Sequence, residues 1–103
     1  MEGQLSVAQN TGDAATVFAS HCVTCHGKTG KGDGPAAAAL FPKPKDFKDC
    51  KRMATISDAT LFQAIEGGGQ SVGLSPLMPA WGGSLTDQQV HELVGYIRGL
   101  CGK

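Results

Sequence analysis

Apolar positions recur at helical spacing in three stretches of the chain. Ala14, Val17 and Phe18, followed by His21 or Cys22, predict a short first helix that Asp13 can cap and that runs into Cys22–His26. Leu61, Phe62 and Ile65 behind Ser57 predict a second, ended by Gly67–Gly69. Thr86 with Gln89 three residues on forms a capping-box pattern ahead of Val90, Leu93, Val94, Tyr96, Ile97 and Leu100, a third helix expected to end at Gly102. Between them, four glycines and three charged residues mark 27–34 as an exposed loop, and Pro35–Leu40 can form one helical turn. Pro42 and Pro44 predict extended loop over Phe41–Met53, with Phe41 and Phe47 turned inward, and Gln70–Gly83 is read as a further loop. No period-2 alternation is long enough for a sheet, so the pattern is that of helices joined by long loops.

Composition sharpens this picture. A chain of 103 residues, 41% hydrophobic, fits one domain spanning 1–103, with a polar, irregular segment at 1–12. Three modest helices bury little apolar surface, so a domain built from them needs something else to pack around, and a large apolar cofactor would serve. No run approaches the roughly 18 apolar residues of a membrane span, and 1–11 lacks the basic and apolar regions of a signal peptide. The chain is therefore expected to be soluble and is read as a mature form, with Met1 a candidate non-native start.

Nine basic and nine acidic residues balance, against the cationic profile of a nucleic-acid binder. Seven cations (Lys28, Lys31, Lys43, Lys45, Lys48, Lys51 and Arg52) nevertheless fall within 28–52, opposed only by Asp33, Asp46 and Asp49, leaving +4. This segment is either a solvated loop or a docking patch for an anionic partner.

The chemistry resides in Cys22-Val23-Thr24-Cys25-His26, a C-x-x-C-H sequence of the kind that attaches c-type haem. Two cysteines three residues apart at a helix end lie on nearly one face and can form thioethers with the two vinyl groups on one edge of the macrocycle. His26 then projects under the ring, where its Nε2 can bind iron. A zinc site drawing on Cys50 or Cys101 is the competing reading, but most zinc modules use ligand pairs, and there is no second C-x-x-C or H-x-x-x-H. A thioredoxin-like C-x-x-C would need strands that the pattern does not offer.

For the second axial position the candidates are Met1, Met53, Met78, His21 and His91. His21 adjoins the attachment cysteine and cannot easily reach the other face, His91 sits in the last helical pattern beside Glu92, and Met53 belongs to the basic loop. Met78 is favoured, because a neutral thioether binds iron weakly and must be held in place, which a loop stiffened by Pro76 and Pro79 does. A His/Met pair raises the reduction potential and saturates the iron, favouring outer-sphere electron transfer over oxygen or peroxide chemistry.

These residues carry a resemblance. Phe18 four positions before Cys22, Cys25-His26-Gly27 continuing to Gly30-Lys31-Gly32-Asp33-Gly34-Pro35, the Leu77-Met78-Pro79-Ala80-Trp81-Gly82 segment and the closing Leu93-Val94-Gly95-Tyr96-Ile97 are similar to class I bacterial cytochromes c, small monohaem carriers with a C-terminal Met ligand. The resemblance covers about Asp13 to Cys101. It implies an all-α cytochrome c fold of three main helices and long loops around one covalent haem c, the first and last helices crossing with Phe18 near Leu93 and Tyr96 and with Ala14 and Gly95 allowing close approach. It further implies that Pro35 offers its carbonyl to His26, with Pro42 and Pro44 as competitors, and that Trp81 lies near a haem propionate or is ordinary core.

Cys50 and Cys101 depart from the usual pattern. Thioether attachment of haem occurs outside the cytoplasm, where disulfides also form, so this pair suggests a bridge and a periplasmic or otherwise extracytoplasmic location.

The function expected is one-electron transfer between redox protein partners, docking at 28–52, by a non-enzymatic monomer. A gas sensor or peroxidase-like protein with Met78 displaced is the alternative, although no distal His or Arg pair stands beside the Met78 segment. A redox module of a larger oxidase or dehydrogenase is a third possibility.

Overall fold

In a computed structural model, residues 13–102 are described, and among them there are helices and no strand. The α-helices are α1 (Ala14–His21), α2 (Val23–His26), α3 (Cys50–Met53), α4 (Asp58–Gly67) and α5 (Asp87–Arg98), with 3₁₀ turns at Ala37–Ala39 and Gly69–Val72. The three longest are those the apolar periodicity predicts. The N-terminal segment 1–12 lies outside the described residues.

Each long helix begins where a side chain can satisfy a free backbone N–H. Asp13 accepts from Thr16 N at 2.9 Å, which also holds its carboxyl below the usual carboxylate range. Ser57 accepts from Thr60 N at 3.1 Å. Thr86 and Gln89 close the full reciprocal box, Gln89 N donating to Thr86 Oγ1 at 3.1 Å and Thr86 N to Gln89 Oε1 at 2.9 Å.

The core forms where α1 and α5 meet. Phe18, Val90 and Leu93 are essentially inaccessible, and Val17, Val94, Ile97 and Leu100 are buried around them. The Phe18 and Tyr96 rings lie 5.3 Å apart, as the resemblance implies. Gly95 does not supply the close approach, since a Cβ there would meet nothing within 4 Å. It instead borders a groove with Phe62 and His91.

Four expectations need correction. Phe47 is buried but Phe41 is 87% exposed, because Phe47 N donates to Gly30 O at 2.7 Å and anchors that part of the loop inward, whereas the turn at Phe41 faces outward. The expected loop over 41–53 ends in α3, started by Asp49, whose carboxylate accepts from Arg52 N at 3.1 Å. The 70–83 loop opens with a 3₁₀ turn. Helix α5 stops at Arg98 rather than Gly102, with Gly99 as its C-cap.

Two cross-links then fasten the ends together. The Arg98 guanidinium donates to the carbonyls of Met53 (2.7 Å) and Ile56 and pairs with Asp58 at 2.7 Å, binding the end of α5 to the α3–α4 connection. The sulfurs of Cys50 and Cys101 are 2.16 Å apart, with Cα atoms 5.0 Å apart, joining the start of α3 to the residues after α5.

Candidate functional site

Cys22 continues α1, its N–H donating to Phe18 O at 2.9 Å, and the next turn carries Cys25 and His26 before Gly27 ends α2. The two cysteine sulfurs are unpaired, and Cys22, Cys25 and His26 all line one cavity of about 340 Å³, within the range of small-molecule sites. Burial, aided by neighbouring Cys25, pushes the Cys22 thiol up to about 12. It is therefore a neutral thiol at physiological pH. Among the described residues, no cluster of three His, Cys, Asp or Glu could hold a metal ion, which disfavours the zinc reading on the donor set itself.

His26 is held from two directions. Its Nδ1–H donates to the Lys45 carbonyl at 3.3 Å, and its ring stacks on Phe47 with centroids 4.3 Å apart and planes 18° apart. A carbonyl can only accept, so the proton resides on Nδ1 and the Nε2 lone pair is left available. Burial lowers the His26 pKa, with the Lys45 hydrogen bond opposing, which keeps the ring in its neutral, metal-binding form.

The acceptor is thus Lys45 and not Pro35, a correction to the resemblance. Pro35 is exposed and does not line the cavity. Its neighbours explain why: Gly34 N donates to Cys25 O at 2.9 Å and Ala36 N to Thr24 O at 2.8 Å, so residues 34–36 run along the back of α2. Gly34 is required there, because a Cβ would collide with the carbonyls of Val23 and Thr24.

Met78, Pro79 and Trp81 line the same cavity. Their segment is tied to α4 by backbone bonds, Gly69 N to Met78 O (3.1 Å) and Trp81 N to Ile65 O (2.8 Å). Gly68, at φ 84°, lets the chain turn beside it, and a Cβ there would press on the Met78 carbonyl at 3.1 Å. Trp81 packs its ring 4.6 Å from His21. Leu40, Ile56, Leu61, Ala64, Ile65 and Ile97 complete apolar walls.

Of the rival iron ligands, two fall elsewhere. Met53 is 2% exposed within the core and the His91 ring lies tilted against Phe62 (4.6 Å) in the separate groove, and neither lines the cavity. Met1 lies outside the described residues. His21 does line it, with Nδ1 buried and without a hydrogen-bond partner. Sequence reasoning missed Phe47 as the stacking partner of His26 and Lys45 as its acceptor. A backbone carbonyl leaves no residue-type signal, and only the stiff Pro42–Pro44 stretch beside it hinted at the place.

Two thiols, a neutral imidazole of fixed tautomer and a thioether share an apolar cavity in a helical fold, and this combination defines a c-type haem protein. The chain belongs to the family described as cytochrome c oxidase, cbb3-type, subunit III, whose model matches residues 9–97. It is accordingly a small c-type cytochrome domain with one covalently bound haem c. Among curated proteins it is 33% identical over 88 residues to the cbb3-type cytochrome c oxidase subunit FixP of Azorhizobium caulinodans, covering 85% of this chain and 26% of that protein. It is 26% identical over 102 residues to the CcoP subunit of Cereibacter sphaeroides, covering 99% and 31%. A thiosulfate dehydrogenase of Psychrobacter arcticus is 33% identical over 96 residues, covering 88% and 26%. The chain therefore spans about a quarter to a third of the length of these curated relatives.

Among solved structures, the KustC0563 c-type cytochrome superposes with a TM-score of 0.67 at 27% identity, covering 86% of this chain and 98% of that one. A chain of the Kuenenia stuttgartiensis reducing HAO-like protein complex Kustc0457/Kustc0458 gives 0.65 at 26% identity, covering 85% and 42%. Electron transfer by a c-type haem is the function these relationships support.

Proposed function

We propose that this domain is a one-electron carrier in which His26 and Met78 are the axial ligands of a haem held by thioethers to Cys22 and Cys25. The single observation that carries the reading is the shared cavity: His26, with its Nε2 lone pair available, and Met78 both line it, Met53 and His91 do not, and His21, which does, directly precedes the attachment cysteine Cys22 on the His26 side of the chain. When bound, the haem supplies an iron that alternates between ferric and ferrous states. The protein's residues do the rest. Lys45 and Phe47 fix the His26 ring, the Gly69 and Trp81 backbone bonds hold the Met78 segment, and the aliphatic walls exclude water. Trp81 acts as a wall of the haem pocket.

With both axial positions filled by the protein, the domain carries electrons rather than transforming a substrate, and it acts as a monomer. Its partners are redox proteins, met by the exposed side chains of Leu77 (63%) and Phe41 and by lysines of the 28–52 segment. Relatives that are oxidase subunits three to four times as long favour an oxidase as the electron acceptor, reached either as a separate carrier or as one module of a longer chain. Thioether attachment and a Cys50–Cys101 disulfide both suit the periplasm or another extracytoplasmic compartment. Among the described residues no helix is long and apolar enough to cross a membrane.

The test is stopped-flow mixing of the ferrous protein with carbon monoxide, followed by one-electron oxidation at low and high ionic strength. The carrier reading predicts no rapid carbon monoxide binding and a salt-sensitive rate with an acidic partner. Rapid binding would favour the gas-sensor or peroxidase alternative.

A further inference from the structure

The cavity wall has a charge asymmetry that the axial ligands do not use. Lys43, Lys45 and Arg52 line it, together with Thr55 and Thr60, and no Asp or Glu does among the described residues. Lys43 and Arg52 are exposed and Lys45 is half-buried, so the three stand at the solvent-facing side of the cavity, where a solvent-accessible anionic group of the occupant could meet them. Haem carries two propionate carboxylates, on the edge of the macrocycle opposite the vinyl groups that react with cysteine.

The placement along the fold matches that division. The vinyl edge belongs to Cys22 and Cys25. The cations come from a different part of the chain, the 43–52 segment. Arg52 has the best-fixed backbone of them: its main-chain N–H donates to Asp49 Oδ1 at 3.1 Å, its main-chain carbonyl accepts from Thr55 Oγ1 at 2.7 Å, and its helix starts at Cys50, joined to Cys101. Lys43 Nζ already donates to Ala38 O at 3.3 Å.

We propose that Arg52, assisted by Lys45, is the anchor for the haem propionates, and that this part of the basic segment serves the cofactor rather than a docking partner. The planar guanidinium can meet a carboxylate through two parallel N–H donors, a geometry that an ammonium lacks. Lys45 would then hold the haem at two places, through its side chain at a propionate and through its backbone carbonyl at His26. The inference rests on the bound haem and does not depend on which residue opposes His26.

The test is the midpoint potential of the haem-loaded protein and of its Arg52→Gln, Arg52→Lys, Lys45→Gln and Lys51→Gln variants, with the absorption spectrum recorded on the same samples. Lys51 is the neighbouring exposed cation that does not line the cavity. Removing a cation beside the propionates favours the ferric state, so Arg52→Gln should shift the redox equilibrium by about tenfold, a fall of about 59 mV for one electron. Arg52→Lys should restore most of that shift, and Lys45→Gln, which keeps its backbone carbonyl, should move the same way by less. Arg52→Gln and Lys45→Gln both indistinguishable from Lys51→Gln would overturn the proposal. Should Arg52→Gln fail to load haem, the Lys45→Gln comparison alone decides. A wrong assignment of Met78 would show separately, as a parent spectrum without sulfur-to-iron charge transfer, whatever the Arg52 variants do.

Discussion

Replacing Cys50 and Cys101 together by serine removes the one covalent tie between the α3 loop and the end of α5. The bridge closes a loop of 51 residues, and in the chain-entropy treatment such a loop stabilises the folded state by about 4 kcal/mol at 25 °C. Haem attachment does not reduce that figure much, because Cys22 and Cys25 lie outside the 50–101 loop and leave it free to expand on unfolding. In a domain of this size each kcal/mol displaces the midpoint by roughly 4–8 °C, so the double variant should melt about 15–30 °C lower. Urea titration of the haem-loaded protein, followed by both far-ultraviolet circular dichroism and the Soret band, gives the free energy directly. A loss below about 1 kcal/mol would refute the reasoning, since the loop would then already be constrained in the unfolded chain or strained in the folded one.

Two further substitutions probe the supports of the site. Gly34→Ala drives a methyl into the Val23 and Thr24 carbonyls, backbone that cannot move without displacing the Cys25–His26 turn. It should cost about 3 kcal/mol and reduce the yield of haem-loaded protein, while Gly83→Ala, with open space around it, should stay within about 0.5 kcal/mol by the same urea assay. Arg98→Met keeps the aliphatic stem but abandons the Met53 and Ile56 carbonyls. About 2 kcal/mol should be lost by thermal or urea unfolding, nearly all from those carbonyls, because the Asp58 side chain is 74% exposed and its ion pair contributes little.

The sequence was most informative where chemistry and periodicity coincide. Asp13, Ser57 and Thr86 announced three helix starts because a cap is a local, residue-specific device. Cys22, Cys25 and His26 were legible because haem attachment needs adjacent positions on one turn. What it could not show depends on long-range backbone placement. Which carbonyl meets His26 is settled by the path of the 42–47 segment, which also turns Phe47 in and Phe41 out, and no spacing rule encodes that path. The cations read as a surface patch divide into those that line the cavity and those that do not, a distinction only the fold can make. Gly95 illustrates the opposite error, a small residue at an expected crossing whose Cβ position proves to be open.

The central claim is that Met78 and His26 together ligate the iron. Its most direct test is the absorption spectrum of the oxidised protein in the far red, where a methionine sulfur bound to ferric iron gives a weak charge-transfer band, with Met78→Ala as the control. The band should be present in the parent and lost in Met78→Ala, with the attached haem retained in both. A parent protein without the band, or a Met78→Ala variant that keeps it, would contradict the assignment and the carrier mechanism built on it.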